Sequence, residues 1–322
     1  MQEPPATPGI AAIATIRRLT LAIAASAQLA VLACGPASAA TNVVATTSDL
    51  AALVTAIGRD LVTVQSIVPA GVDAEHFEPR PGDLTKLRRA DLLVRVGLGY
   101  DHWLDALTKR AGEKRLLRGG AGYHDASEGV PLLEIRGQSV VNEGGHAHGV
   151  ANPHYWLDPE NAVPVTAGIA EALARITPAQ RDRFIANRQE FLDQLAARRE
   201  RWSQTMAPFA GTRLIAYHNS WPYFARRFRL DVIAFIEPKE GVAPSPAHLA
   251  HVIAEGRTRQ ARAILHEPHE PEDASRFVAR KLSIPVVRLA ISVGSVDGAN
   301  DYLALIDHNI ATLAKALGTR SP

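Results

Sequence analysis

The chain has 322 residues, 47% of them hydrophobic and 21% charged, which suits a soluble globular protein of about two domains. A formal net charge of only +2 gives no basic signal for nucleic acid or another polyanion. Cys34 is the only cysteine, so a disulfide within the chain is excluded and thiolate metal chemistry has a single candidate.

The N-terminus reads as an export signal. Arg17-Arg18 precedes a short apolar run, Leu19 to Ala33, and Ala37-Ser38-Ala39 is a small-x-small cleavage pattern. Removal of residues 1–39 is expected, and Cys34 goes with them. The alternative is a lipid on Cys34, since Val31-Leu-Ala-Cys34 loosely resembles a lipobox. The apolar run is short and poor in large residues for a membrane span. A mature chain without thiols would have to hold any metal through nitrogen and oxygen.

Beyond the signal, strands and helices alternate. Strands are expected at 43–47, 61–68 and 91–96, with helices at 50–57 (N-capped by Asp49), 82–90 and 103–116. Residues 117–149 are polar and glycine-rich and read as long loops carrying one strand at 130–135, with His124 a solvated loop histidine. Residues 162–176 form a helix. Thr177-Pro178 starts another, which runs to Met206 and spans roughly 40 Å at the helical rise. A second set follows, with strands at 214–217, 232–236, 263–265 and 286–289 and helices around 223, 246–255, 272–282 and 301–317. Such alternation implies parallel sheets covered by helices. The expected fold is α/β, with an N-terminal lobe at 40–160, connecting helices at 161–209 and a C-terminal lobe at 210–322.

Three histidines stand at loop positions. His154 lies in Asn152-Pro-His-Tyr-Trp-Leu-Asp-Pro159, where two prolines constrain the backbone. His218 ends a strand, and His76 follows another through turn residues; ligands of open α/β sheets sit beyond such strand ends. The Glu267 carboxylate, after the strand at 263–265, occupies a similar place. Histidine is the commonest side-chain metal ligand, so convergence of His76, His154 and His218 would make a metal site. His146 and His148 lie in Gly144-Gly-His-Ala-His-Gly149, either a mobile capture loop or a solvated one. His102, His248, His251 and His308 fall in helical patterns and read as surface or packing residues.

The segment around His154 resembles a ligand segment of the periplasmic zinc- and manganese-binding receptors of ABC importers. His218-Asn-Ser-Trp-Pro-Tyr-Phe-Ala225, the loop Glu237 to Pro246 and the closing helix Tyr302 to Asn309 resemble that family too. The resemblance implies two similar α/β lobes joined by one long rigid helix, with the metal in the cleft between them. It implies an extracytoplasmic, monomeric receptor that is not an enzyme and that delivers a metal ion to a membrane permease. Two departures stand out. The family's first motif runs Asp-Pro-His, whereas here Asp73-Ala-Glu-His76 displaces the histidine by one residue; His76 is the expected ligand, with Glu75 as the alternative. The aspartate common after the last strand is missing from Leu289-Ala-Ile-Ser-Val-Gly294, so Glu267 or water is expected as fourth ligand. Three imidazoles and one oxygen suit Zn²⁺, whereas Mn²⁺ favours more oxygen. The rival readings are a manganese-type receptor and a zinc hydrolase using Glu75 or Glu267 as general base.

Overall fold

The computed structural model describes residues 1–2, 40–72, 74–134 and 151–318. In the first lobe the chain runs β1 (Thr41–Ala45), α1 (Ser48–Gly58), β2 (Val62–Ser66), α2 (Pro81–Arg89), β3 (Leu92–Arg95), α3 (Leu104–Ala111) and β4 (Tyr123–Asp125). The caps follow from sequence. Thr47 accepts the Leu50 N–H to start α1, a place the sequence reading gave to Asp49. Pro81 opens α2 where no donor is needed, and Gly112 ends α3 in the left-handed region that its missing Cβ allows.

Two helices follow, α4 (Ala162–Ile176) and α5 (Arg181–Met206). The second lobe then runs β5 (Arg213–Ala216), α6 (Pro222–Phe228), β6 (Asp231–Phe235), α7 (Pro246–Thr258), β7 (Ala263–His266), α8 (Glu272–Leu282), β8 (Val286–Arg288) and α9 (Tyr302–Gly318). The two sheets have matching topologies, β2-β1-β3-β4 and β6-β5-β7-β8, with every pairing parallel. Parallel pairing requires crossover connections, so all the strands of a sheet end on one side. β3 and β7 are buried along their whole length, as central strands covered by helices on both faces are.

The long helix α5 has 26 residues, hence about 39 Å. Its buried residues, Phe184, Asn187, Phe191, Leu195, Trp202 and Met206, recur at helical spacing and form one stripe. Asn187 Nδ2 donates to Ile57 O in α1 at 2.8 Å. Near the other end, Trp202 Nε1 donates to Asp307 Oδ1 in α9 at 2.7 Å, and Arg198 and Arg201 pair with the same carboxylate. One helix is thus pinned to an element of each lobe. No helix among the described residues is long and apolar enough to cross a membrane.

The stretch 117–134 departs from the sequence expectation. The described part of the expected strand at 130–135 is irregular, and Tyr123–Asp125 supplies β4 instead. His124 is therefore buried rather than solvated. Its ring lies against Gly168 of α4, where a Cβ would come within 2.6 Å of His124 Cε1. Burial, then the nearby Arg175 charge, pushes this imidazole down to about 4, so it is neutral at physiological pH. His146 and His148 lie outside the described residues.

Because α5 buries a narrow stripe, its stability contribution sits in few side chains. Phe184→Ala should cost about 3–5 kcal/mol in urea unfolding. Ile185→Ala, one residue along and 51% exposed, should change it by less than about 0.5 kcal/mol.

Candidate metal centre

The carboxyl ends of both sheets face one cleft. Its lining includes Thr47, Ser48 and Asp49 beyond β1, Glu75 and His76 beyond β2, Tyr100 beyond β3, His218 beyond β5 and Glu237 beyond β6. His154 and Trp156, from the segment preceding α4, form part of the same wall.

Within this cleft one ligand atom each from Glu75, His154 and His218 lie within 4.8 Å of one another. The rings of His154 and His218 have centroids 5.7 Å apart. His154 also packs edge-on to Tyr100 at 5.4 Å and tilted against Trp156 at 5.3 Å, which fixes its ring plane. Glu75 is 9% exposed, His154 3% and His218 8%.

Each imidazole is gripped through Nδ1. His154 Nδ1 donates to Asn152 Oδ1 at 3.2 Å, and the His154 backbone N–H donates to the same oxygen at 3.0 Å. His218 Nδ1 donates to Glu237 Oε2 at 2.5 Å. Each ring is thereby left with Nε2 to offer a ligand, the arrangement that orients metal-binding histidines. Burial alone would push His218 down. The Glu237 hydrogen bond, with the charges of Glu75, Glu267 and Glu237, outweighs that and raises it to about 9. The surrounding carboxylates thus favour positive charge at this ring.

The His154 segment is braced from several sides. Tyr155 OH donates to Val96 O at 2.9 Å, and Asn161 Nδ2 donates to Tyr155 O at 2.9 Å. Asp158 is fully buried and receives Arg227 at both oxygens, at 2.7 and 3.1 Å. Arg227 belongs to α6, just after His218, so this bidentate pair links the two histidine segments.

The other expected ligands stand elsewhere. It is Glu75, and not His76, whose ligand atom meets the two imidazoles. The His76 ring is 56% exposed and has Nε2 3.7 Å from Glu240 Oε1 at the cleft edge. Glu75 is buried at the triad while the adjacent His76 is exposed, so the one-residue displacement in sequence exchanges an imidazole for a carboxylate. Glu267 is fully buried behind Trp221, whose Nε1 donates to Glu267 Oε1 at 2.7 Å. It lies outside both the converging triad and the cleft lining. Sequence reasoning did not assign Glu237. Its signal was present, because it follows β6 as His218 follows β5.

The family model described as zinc-uptake complex component A, periplasmic (ZnuA), matches residues 43–316. The high-affinity zinc uptake system protein ZnuA of Paracoccus denitrificans is 27% identical over 342 residues, covering 94% of this chain and 99% of that protein. The manganese ABC transporter substrate-binding lipoprotein PsaA of Streptococcus pneumoniae is 24% identical over 286 residues, covering 86% and 88%. A crystal structure of ZnuA aligns with a TM-score of 0.72 at 26% identity, covering 86% of this chain and 99% of that one. A manganese-bound periplasmic metal-binding protein from Candidatus Liberibacter asiaticus aligns with the same score at 20% identity and the same coverage, a likeness of fold.

In metal-free protein, NMR titration of the His218 ring should give a midpoint near 9, and Glu237→Gln should lower it. A raised folded value means that protonated His218 stabilises the metal-free fold below about 6.5, and that this contribution is lost as pH rises through 9. A His218 midpoint unmoved by Glu237→Gln would contradict the role given to that carboxylate.

Proposed function

The chain belongs to the family of periplasmic zinc-uptake components and is a metal-binding receptor of an ABC importer rather than an enzyme; on that premise we propose that its cargo is Zn²⁺, bound by Glu75, His154 and His218. The observation that carries this reading is the convergence of those three ligand atoms within 4.8 Å, on a cleft fed by both sheets. Two imidazoles and one glutamate form a donor set that zinc accepts in tetrahedral geometry, with the fourth place open to water. Glu75 and Glu237 together carry two negative charges, which a dication balances once both imidazoles are neutral. In this reading His76 and Glu267 are not ligands, and Glu267 supports Trp221 from behind.

Around that site we read residues 40–160 and 210–322 as the two lobes, with 161–209 between them. The receptor captures its ion outside the cytoplasm, after export through a cleaved signal at 1–39, and hands it as a monomer to a membrane permease. Residues 3–39, with Cys34, lie outside the described residues, and intact mass of the exported protein distinguishes cleavage after Ala39 from a lipid on Cys34. Glu75 also raises the oxygen content of the site, which favours a manganese cargo more than three imidazoles would. Parallel zinc and manganese titrations of the metal-free protein decide between the cargoes. Tighter manganese binding would overturn the zinc assignment.

Two further outcomes follow from the geometry. His154→Ala should weaken zinc at least about a hundredfold in chelator competition, since it removes a direct ligand whose outer partners alone are worth ten- to a hundredfold; unchanged affinity sinks the ligand set. Zinc must also displace the His218 proton. Its affinity should therefore fall about tenfold for each pH unit below 9, with roughly one proton released per ion from that ring. Isothermal titration in buffers of different ionisation enthalpy counts that proton.

A further inference from the structure

Behind the two imidazoles lies a carboxylate that joins their segments. Glu134 Oε2 accepts from Asn152 Nδ2 at 3.1 Å and from Asn219 Nδ2 at 2.8 Å. Asn152 is the residue whose Oδ1 holds the His154 backbone N–H and Nδ1. Asn219 directly follows His218. The two asparagines also meet each other, with Asn152 Nδ2 donating to Asn219 O at 2.9 Å. Both are buried, and Glu134 is half-buried.

The backbone around this junction is equally committed. Leu133 N donates to Tyr223 OH at 3.0 Å, Tyr223 OH donates to Asn152 O at 2.9 Å, and Asn152 N donates to Leu133 O at 3.0 Å. Glu134 itself has φ +53°, a left-handed conformation that is uncommon for a residue with a side chain. Such conformations persist only where the surroundings hold them, and here the Leu133 backbone and the Glu134 carboxylate are both hydrogen-bonded to neighbouring segments.

We propose that Glu134 is a positioning residue for the bound ion: through Asn152 it orients the His154 imidazole, and through Asn219 it sets the spacing of His154 from His218. The proposal rests on the ligand set given above. An asparagine whose Nδ2 is committed to Glu134 and to Asn219 O cannot rotate, so its Oδ1 stays aimed at His154 Nδ1. The carboxylate makes both amide bonds charge-assisted and therefore strong. It also draws the Asn152 amide dipole toward Oδ1, which strengthens the Nδ1–H bond and makes Nε2 a better donor to a metal.

The test compares wild type, Glu134→Ala, Glu134→Gln and His154→Ala. Each is measured by zinc affinity against a chelator, by the electronic spectrum of bound Co²⁺ and by the thermal midpoint of the metal-free protein. Glu134→Ala should weaken zinc about tenfold or more and shift the Co²⁺ bands, with a modest fall in the metal-free midpoint because two buried amides lose their acceptor. Glu134→Gln retains an oxygen acceptor for the asparagines but not the charge, and should recover part of that loss. The proposal is overturned if Glu134→Ala binds zinc as wild type does, or if its loss merely follows a lowered midpoint with an unchanged Co²⁺ spectrum. Failure of Glu134→Gln to recover affinity overturns it as well. If those failures occur while His154→Ala still weakens zinc, only the positioning role falls; if His154→Ala binds normally, the ligand set falls and this role with it.

Discussion

The grip on Nδ1 of two imidazoles governs the centre of this protein. An imidazole has one nitrogen to be held by and one to bind with, and a partner at Nδ1 settles both tautomer and direction. The two grips differ in charge. His154 is held by the neutral amide of Asn152, and His218 by the carboxylate of Glu237. His218 therefore keeps a proton when no ion is bound, and that proton stands in for part of the charge a metal brings. On the proposed ligand set, binding is an exchange of cations at a place already prepared for positive charge.

Such a grip is useful only if its two halves keep their distance, and the scaffold is arranged for that. Matching sheets point their strand ends at one cleft, and α5 is anchored by Asn187 to one lobe and by Trp202 to the other. A further seam runs through residues 290–293. Asn309 holds both the N–H and the carbonyl of Ala290, at 2.7 and 2.8 Å. Trp156 Nε1 donates to Ile291 O, Gly71 N to Ser292 Oγ, and Val293 N to Asp49 Oδ1. Burial pushes the Asp49 carboxyl up to about 7 despite that bond. The chain after β8 therefore serves as a hydrogen-bonded seam between the lobes.

What the sequence revealed follows physical scale. The alternation of strands and helices was legible because β-branched runs and caps act over a few residues. The 39 Å helix was legible from its stripe, although it begins at Arg181, after a short 3-10 turn at Pro178–Gln180, and Thr177 makes no capping bond. His154 and His218 could be singled out because prolines and a strand end restrict them locally. β4 was not legible, since Tyr-His-Asp has no apolar pattern and its burial depends on Gly168, forty-four residues beyond His124. Glu134 was equally invisible, because its partner Asn219 lies 85 residues away and only the fold joins them.

The Glu75-His76 pair shows where sequence reasoning stops and why it matters. A one-residue step in a strand flips a side chain to the other face, whereas in a loop the outcome depends on backbone turns that spacing does not encode. The fold turns Glu75 inward and leaves His76 at the edge beside Glu240. On the proposed ligand set this has opposed consequences for metal choice. A carboxylate in place of an imidazole makes the site harder and moves it toward manganese. The Glu237 carboxylate behind His218 makes that imidazole a stronger nitrogen donor, which favours the borderline-soft zinc ion. Three ligands with one open place also suit the four-coordinate geometry of zinc better than the higher coordination number that an oxygen-rich manganese site requires. The balance between cargoes therefore rests as much on the residue behind His218 as on the exchange at residue 75.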